Sequence, residues 1–261
     1  MKTTFILICI FFSFLANGEV LTIALENKPW SPYYLGNKEV DLKKPGLTIE
    51  LLKMVEEELK LENIKFKYAR YPWKRCLDGL KKNKVDAVLG ASFKKSRMEI
   101  GHYPMKEKSP DDTMGIANSS YSFYKLKSSS LGWDGKSFLN LKGGTKIGVS
   151  AGYSIADDLK KMKINIYSAK GSKNLLEMLL RQRVSGFAGF TDIVDNLIKK
   201  DKNKYASIIK SKEPIKEKSY YLVFSKALYK RNPLLVQKIW KSIKKLRTGQ
   251  KYLDLELSYR E

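Results

Sequence analysis

Few residues in this chain can run covalent chemistry, and their spacing works against them. Gly148-Val149-Ser150-Ala151-Gly152 has the Gly-x-Ser-x-Gly form of a nucleophile elbow, in which a turn between strand and helix holds a serine out for attack. That serine needs a histidine further along the chain to take its proton. The only histidine of the 261 residues is His102, which precedes it. The pattern therefore reads as a tight loop opening a helix, whose free backbone N–H groups can hold an anion. Ser-x-x-Lys recurs at Ser92/Lys95, Ser207/Lys210 and Ser242/Lys245, which is background in a chain with 50 Lys and Arg. Cys76 stands beside Lys74 and Arg75, which favour a thiolate. It lies, however, on a segment of helical periodicity, where packing is the commoner role. One histidine and two cysteines exclude a multi-histidine metal centre and a four-cysteine zinc site, so no metal or other cofactor is expected.

The residues that remain suit noncovalent capture. Pro29-Trp30-Ser31-Pro32-Tyr33-Tyr34 is a loop stiffened by two prolines from which three aromatic rings project. Tyr71-Pro72-Trp73-Lys74-Arg75 is a second loop of the same kind. The two can clamp a flat or aliphatic group between ring faces. Gly90-Ala91-Ser92, followed by Arg97, combines a hydroxyl with a guanidinium fork, a pairing that holds a carboxylate.

The elements that position these loops alternate between strand and helix. Val20–Leu25, Ile64–Tyr68 and Val85–Leu89 read as strands. Leu47–Leu61 and Trp73–Lys82 have helical spacing. The second half repeats the plan, with strands at Lys146–Val149, Ile164–Tyr167 and Arg183–Ala188 and helices at Ile155–Met162 and Asn174–Gln182. Leu77–Leu80 with Val85–Gly90 matches Leu176–Leu179 with Val184–Gly189 at a constant offset of 99 residues. Such alternation predicts two α/β lobes with parallel sheets. Their shared cleft, at the carboxyl ends of the strands, is where a ligand is expected. The aromatic loops and Ser92 all follow predicted strands. A last helix carries Leu235, Ile239, Ile243 and Leu246 on one face with Trp240 beside them. Its other faces are basic, and the expectation is docking on its own lobe.

The first residues read as an export signal over 1–18. Lys2 gives a positive start. Phe5–Leu15 is a largely apolar run of eleven residues, short of the ~20 needed to span a bilayer. Ala16-Asn17-Gly18 forms a small-x-small cleavage site before Glu19. Cys9 lacks the setting of a lipoprotein box. The net charge of +23 is spread along the chain with no concentrated tail, which favours solvated lysine-rich faces over nucleic-acid binding.

Together the export signal, the Pro-x-x-Pro-Tyr loop, the Pro-Trp-Lys-Arg-Cys-Leu helix start, Val85-Asp86-Ala87 with Ser92 and Arg97, His102-Tyr103-Pro104, Gly148–Ser154 and Tyr221–Lys226 resemble a known family. It is the extracellular solute-binding proteins of family 3, the amino-acid-type periplasmic binding proteins. The resemblance covers essentially everything after residue 18. It implies an α/β, two-lobed, type II periplasmic-binding-protein-like fold with two crossovers at a hinge, lobe one being 19–115 and 222–261 and lobe two 116–221. It also implies a monomeric periplasmic protein, not an enzyme. Such a protein closes on a small polar, carboxylate-bearing solute such as an amino acid, for an ABC-type permease or a sensor.

By position in the resemblance, Trp30 and Trp73 take the aromatic clamp, with Tyr33 from the same loop. Ser92 and Arg97 bind the ligand carboxylate, and Gly152, Tyr153 and Ser154 offer backbone N–H groups from lobe two. Two features depart from the family. The interval from Asp86 to Arg97 is one residue shorter than its commonest pattern. Phe190 stands near the place of the acid that pairs a ligand ammonium, leaving Asp192, two residues on, as the substitute. The alternatives are a dehydratase-like lyase on the same fold, using Asp192 or Lys95, and a nonspecific binder of polyanions.

Overall fold

The computed structural model describes residues 18–36, 39–41 and 43–260. The export signal expected over 1–18 lies, apart from Gly18, outside the described residues. In lobe one, β1 (Glu19–Glu26) runs parallel between β2 (Ile64–Tyr71) and β3 (Ala87–Ser92). Helices α1 (Leu47–Glu58) and α2 (Trp73–Lys81) connect them. β1 is apolar and buried from Ile23 to Leu25, as a strand covered on both faces must be. Three two-residue strands follow, β4 (Gly101–His102), β5 (Met105–Lys106) and β6 (Ser109–Pro110).

The long strand β7 (Ala117–Leu126) leads into lobe two and a small hairpin of β8 (Gly132–Trp133) and β9 (Phe138–Leu139). There β10 (Ile147–Ser150) runs parallel between β11 (Ile166–Ala169) and β12 (Gly186–Phe190), with α3 (Ile155–Lys161) and α4 (Ser172–Leu180) as connections. After α5 (Thr191–Lys200) and β13 (Ile208–Lys210), the long strand β14 (Lys216–Ser225) returns to lobe one. The chain ends in α6 (Lys226–Arg231), α7 (Pro233–Arg247) and α8 (Gln250–Arg260).

The strands follow the order β11-β10-β12-β7-β14-β3-β1-β2, so the two parallel sheets meet through the antiparallel pair β7 and β14. β14 belongs to both lobes. Lys216–Tyr220 pair with β7, and Tyr220–Phe224 pair with β3, with a register shift between Tyr221 and Leu222. These are the two crossovers of a two-lobed type II periplasmic-binding-protein-like fold. The 99-residue repeat corresponds to α2–β3 in lobe one and α4–β12 in lobe two, with Ala87 and Gly186 opening the matched strands. The glycines near their ends serve different purposes. Gly90 has φ +80°, whereas a Cβ on Gly189 would lie 2.5 Å from Val194 Cγ2.

Sequence periodicity located α1, α2, α3, α4 and α7 to within a few residues. It passed over β7 and α5, whose polar and apolar residues mix. α7 starts where Asn232 accepts a hydrogen bond from Leu235 N at 3.1 Å, with Pro233 in the first turn. Its apolar face is fully used within lobe one. Leu235, Ile239, Trp240 and Ile243 are buried, and Trp240 Nε1–H donates to Leu222 O at 2.8 Å. Trp240 also packs edge-on to Phe224, with centroids 5.4 Å apart. Truncation of Trp240 to Ala should therefore cost about 3–5 kcal/mol in urea unfolding, through the cavity left and the orphaned carbonyl of Leu222. A surface-binding role for this helix would instead leave stability nearly unchanged.

Candidate functional site

The loops at the carboxyl ends of β1, β2 and β3 face those after β10 and β12, and the crossover strands close the gap between. A cavity of about 30 Å³ lies there, walled by Glu26, Trp30, Tyr34, Trp73, Gly90, Ser92 and Arg97 from lobe one. Tyr153, Ser154, Phe190 and Ile193 face them from lobe two, and Tyr121 and Tyr220 come from the crossovers. That space holds about one water.

Arg97 is 5% exposed. Its Nη1 donates to Ser92 O at 2.7 Å, its Nη2 donates across the cleft to Gly152 O at 3.0 Å, and its guanidinium sits 5.3 Å from the Trp73 ring centroid. Among the described residues it makes no ion pair with a carboxylate. Ser92 Oγ lies 2.8 Å from Ser154 Oγ, and Lys218 Nζ, which also pairs with Asp158, donates to Ser154 at 3.0 Å. This hydroxyl chain ties lobe one, lobe two and a crossover strand together. Burial pushes the Lys218 ammonium down from its ordinary range, against the pull of Asp158.

Glu26 ends β1 and is 7% exposed, and Tyr153 OH donates to its Oε2 at 2.6 Å. Burial holds its carboxyl above the usual range, opposed by the hydrogen bond from Tyr153 and the charge of Lys28. The remaining walls are rings. Trp30 stands 5.0 Å from Phe190 and 4.9 Å from Tyr220, and Phe190 stands 5.2 Å from both Tyr121 and Tyr220. Gly90 makes this possible, because a Cβ there would sit 3.0 Å from Trp30 Cζ3 at a φ of +80°.

The structure brings Trp30, Trp73, Ser92, Arg97, Tyr153 and Ser154 to one cavity. It separates three other residues from their expected tasks. Tyr33 donates to Asn118 O on β7 at 2.6 Å and does not line the cavity. Asp192 is also off the cavity wall, since its carboxylate accepts from Trp30 Nε1 at 3.0 Å and from the Ser119 hydroxyl. It holds the Trp30 indole from lobe two. Gly152 presents its carbonyl, which accepts from Arg97 and from Trp73 Nε1 at 3.3 Å, where backbone donors were expected. The Tyr153 N–H is taken by Ser150 O.

Sequence reading did not single out Glu26, Tyr121 or Tyr220. The signal for Glu26 was a charged residue directly after a buried apolar strand. Lys95, the other group considered for lyase chemistry, is exposed on a separate polar groove of about 1100 Å³ that runs along the crossovers and shares only Ser154 with the cavity. Cys76 is fully buried, and burial pushes its thiol up to about 12, the reverse of an activated thiolate. His102 stacks on Tyr229 with ring centroids 4.0 Å apart. Among the described residues no cluster of His, Cys, Asp or Glu could hold a metal ion, and no helix is long and apolar enough to cross a membrane.

No family model and no curated protein matches this sequence. Solved structures do match the fold. An ancestral arginine-binding protein bound to glutamine superposes with a TM-score of 0.66 at 17% identity, covering 92% of this chain and 97% of its own. A histidine kinase sensor domain with similarity to periplasmic binding proteins gives 0.67 at 13% identity, covering 93% and 96%. An ancestral amino acid-binding protein, described as a precursor of cyclohexadienyl dehydratase, gives 0.65 at 15% identity, covering 93% and 95%. The fold is thus shared with proteins that bind amino acids and with a sensor domain.

Two outcomes follow from the site's geometry. Gly90→Ala should destabilise the protein by about 1–3 kcal/mol in chemical denaturation, since it combines a positive φ with a contact to a rigid indole. The carboxyl of Glu26 is raised in the folded state. Its contribution is therefore fully present below the unfolded value near 4.5 and is lost as pH rises through the folded value. Relative to wild type, Glu26→Gln should gain stability as pH rises from 4 to 8, measured as urea midpoints. A difference independent of pH would show that Glu26 is not desolvated.

Proposed function

We propose that this chain is a periplasmic solute-binding protein that captures a small carboxylate-bearing solute between its lobes. The observation that carries the reading is Arg97, a buried guanidinium on the cleft cavity without a carboxylate partner among the described residues. A buried charge is costly unless compensated, and the carbonyl oxygens of Ser92 and Gly152 compensate it only in part. A carboxylate can accept two parallel hydrogen bonds from the same fork. Ser92 and Ser154, one from each lobe, stand beside it to complete the shell.

Capture works by closure. The cavity admits about one water, so a solute enters only when the lobes part. Contacts made with both lobes at once then favour the closed state. We place the lobe boundaries at 19–115 with 222–261 and 116–221, where β14 changes partner. An exported, monomeric protein of this design hands its solute to an ABC-type permease or presents the closed form to a sensor.

The test is a thermal-shift panel of amino acids, dicarboxylates and keto acids on wild type and Arg97→Met. A ligand at about 100 times its Kd adds roughly 2.7 kcal/mol, a rise of about 5–10 °C for a protein of this size. A shift lost in Arg97→Met supports the reading. A panel without any shift, or a shift that survives in Arg97→Met, overturns it.

A further inference from the structure

We propose that the polar groove along the crossovers is a second binding site, which takes a multivalent oxyanion and spans both lobes. It is independent of what the cleft cavity holds. The groove has a volume of about 1100 Å³ and shares only Ser154 with the cavity. Three lysines from three separate elements converge on it. Lys95 follows β3 in lobe one, Lys161 ends α3 in lobe two, and Lys216 opens the crossover strand β14. All three are exposed, and among the described residues none of them makes an ion pair. Like charges gathered in one concave space repel, and an anion placed between them removes that cost.

The other charges of the groove do not neutralise these three. Asp157 pairs with Lys94 at 2.8 Å, Asp158 pairs with Lys218, and Asp112 accepts from Tyr221 OH. Glu217 is the remaining acid, and it projects from the face of β14 opposite to Lys216 and Lys218. Lys218 reports the field at the groove floor. Burial lowers its ammonium most and Asp158 opposes this, but the charges of Arg97 and Lys216 lower it further. The hydroxyls of Ser96 and Ser109 stand on the groove wall as hydrogen-bond donors.

The lobes are close enough here for one small molecule to touch both, because the Lys94–Asp157 pair already crosses between them on the groove wall. An oxyanion with two or more charged groups can therefore meet Lys95 and Lys161 at once. Its contacts exist only while the lobes stand together, so it adds to the closed state. The class assigned is a compact multivalent oxyanion, of which pyrophosphate is the simplest case.

The test is isothermal titration calorimetry with inorganic pyrophosphate at about 0.1 M salt, where screening confines each lysine's influence to about 10 Å. Wild type should bind one pyrophosphate saturably. Lys95→Met, Lys161→Met and Lys216→Met should each weaken binding by about threefold, and Lys95→Met with Lys161→Met by about tenfold. Lys81→Met with Lys84→Met, exposed lysines that precede β3 and so lie at its other end from Lys95, should bind as wild type within about twofold, and so should Arg97→Met. Absence of saturable binding overturns the proposal. Equal weakening in the Lys81/Lys84 variant overturns it by showing diffuse attraction to a basic surface. Loss in Arg97→Met overturns it by placing the anion in the cleft. Weakening by Lys95→Met or Lys161→Met alone, without the other, overturns the span across the lobes.

Discussion

Antiparallel pairing of β7 with β14 is the constraint on which the rest of the molecule depends. Each lobe on its own is a parallel sheet with helices on its faces, and nothing in such a unit dictates how it meets another. The hydrogen bonds from Lys216–Tyr220 to Ala117–Tyr121 make one continuous ladder from β11 to β2. At Tyr220 β14 passes from β7 to β3, and the register shift between Tyr221 and Leu222 lies within its pairing to β3. Because the carboxyl ends of both parallel sheets then open toward the same gap, the loops after β1, β2, β3, β10 and β12 converge. Tyr121 and Tyr220, on the two crossovers, line the cavity in that gap.

Two kinds of contact bridge the cleft, and they differ in worth. Lys94–Asp157, at 2.8 Å, joins the lobes at the surface, where water and salt screen it and its contribution is small. The bonds from Arg97 to Gly152, Ser92 to Ser154, Tyr153 to Glu26 and Trp30 to Asp192 lie in or beside the buried cavity, where a hydrogen bond left unmade is costly. Opening the lobes exposes all of these groups to water. In the proposed function, a solute that satisfies them restores closure.

The surplus of basic residues has a quieter role. Several of these lysines and arginines meet acids across element boundaries, as Arg231 does with Glu19, Lys238 with Glu62 and Lys245 with Glu58, and so lay α6 and α7 against lobe one. The apolar face of α7 is turned inward, with Trp240 and Ile243 fully buried, which leaves its basic faces to solvent.

What the sequence determined by itself was local and periodic. Alternating strand and helix patterns, the 99-residue repeat and the positions of Trp73, Ser92 and Arg97 after strands were legible, because helix and strand each impose a short-range spacing on apolar residues. The absence of a histidine after Ser150 was equally legible. What only the tertiary structure decided was long-range pairing. Asp192 looked free to meet a ligand until Trp30, 162 residues away, was found on its carboxylate. Tyr33 turned to β7. Gly152 turned its carbonyl toward the Arg97 guanidinium and the Trp73 indole. Glu26 carries no mark of its partner in the sequence, and only the fold places Tyr153, 127 residues away, on its carboxyl. Partners so distant in the chain leave no periodic trace, since burial and hydrogen bonding between lobes depend on how β7 and β14 bring the two sheets together.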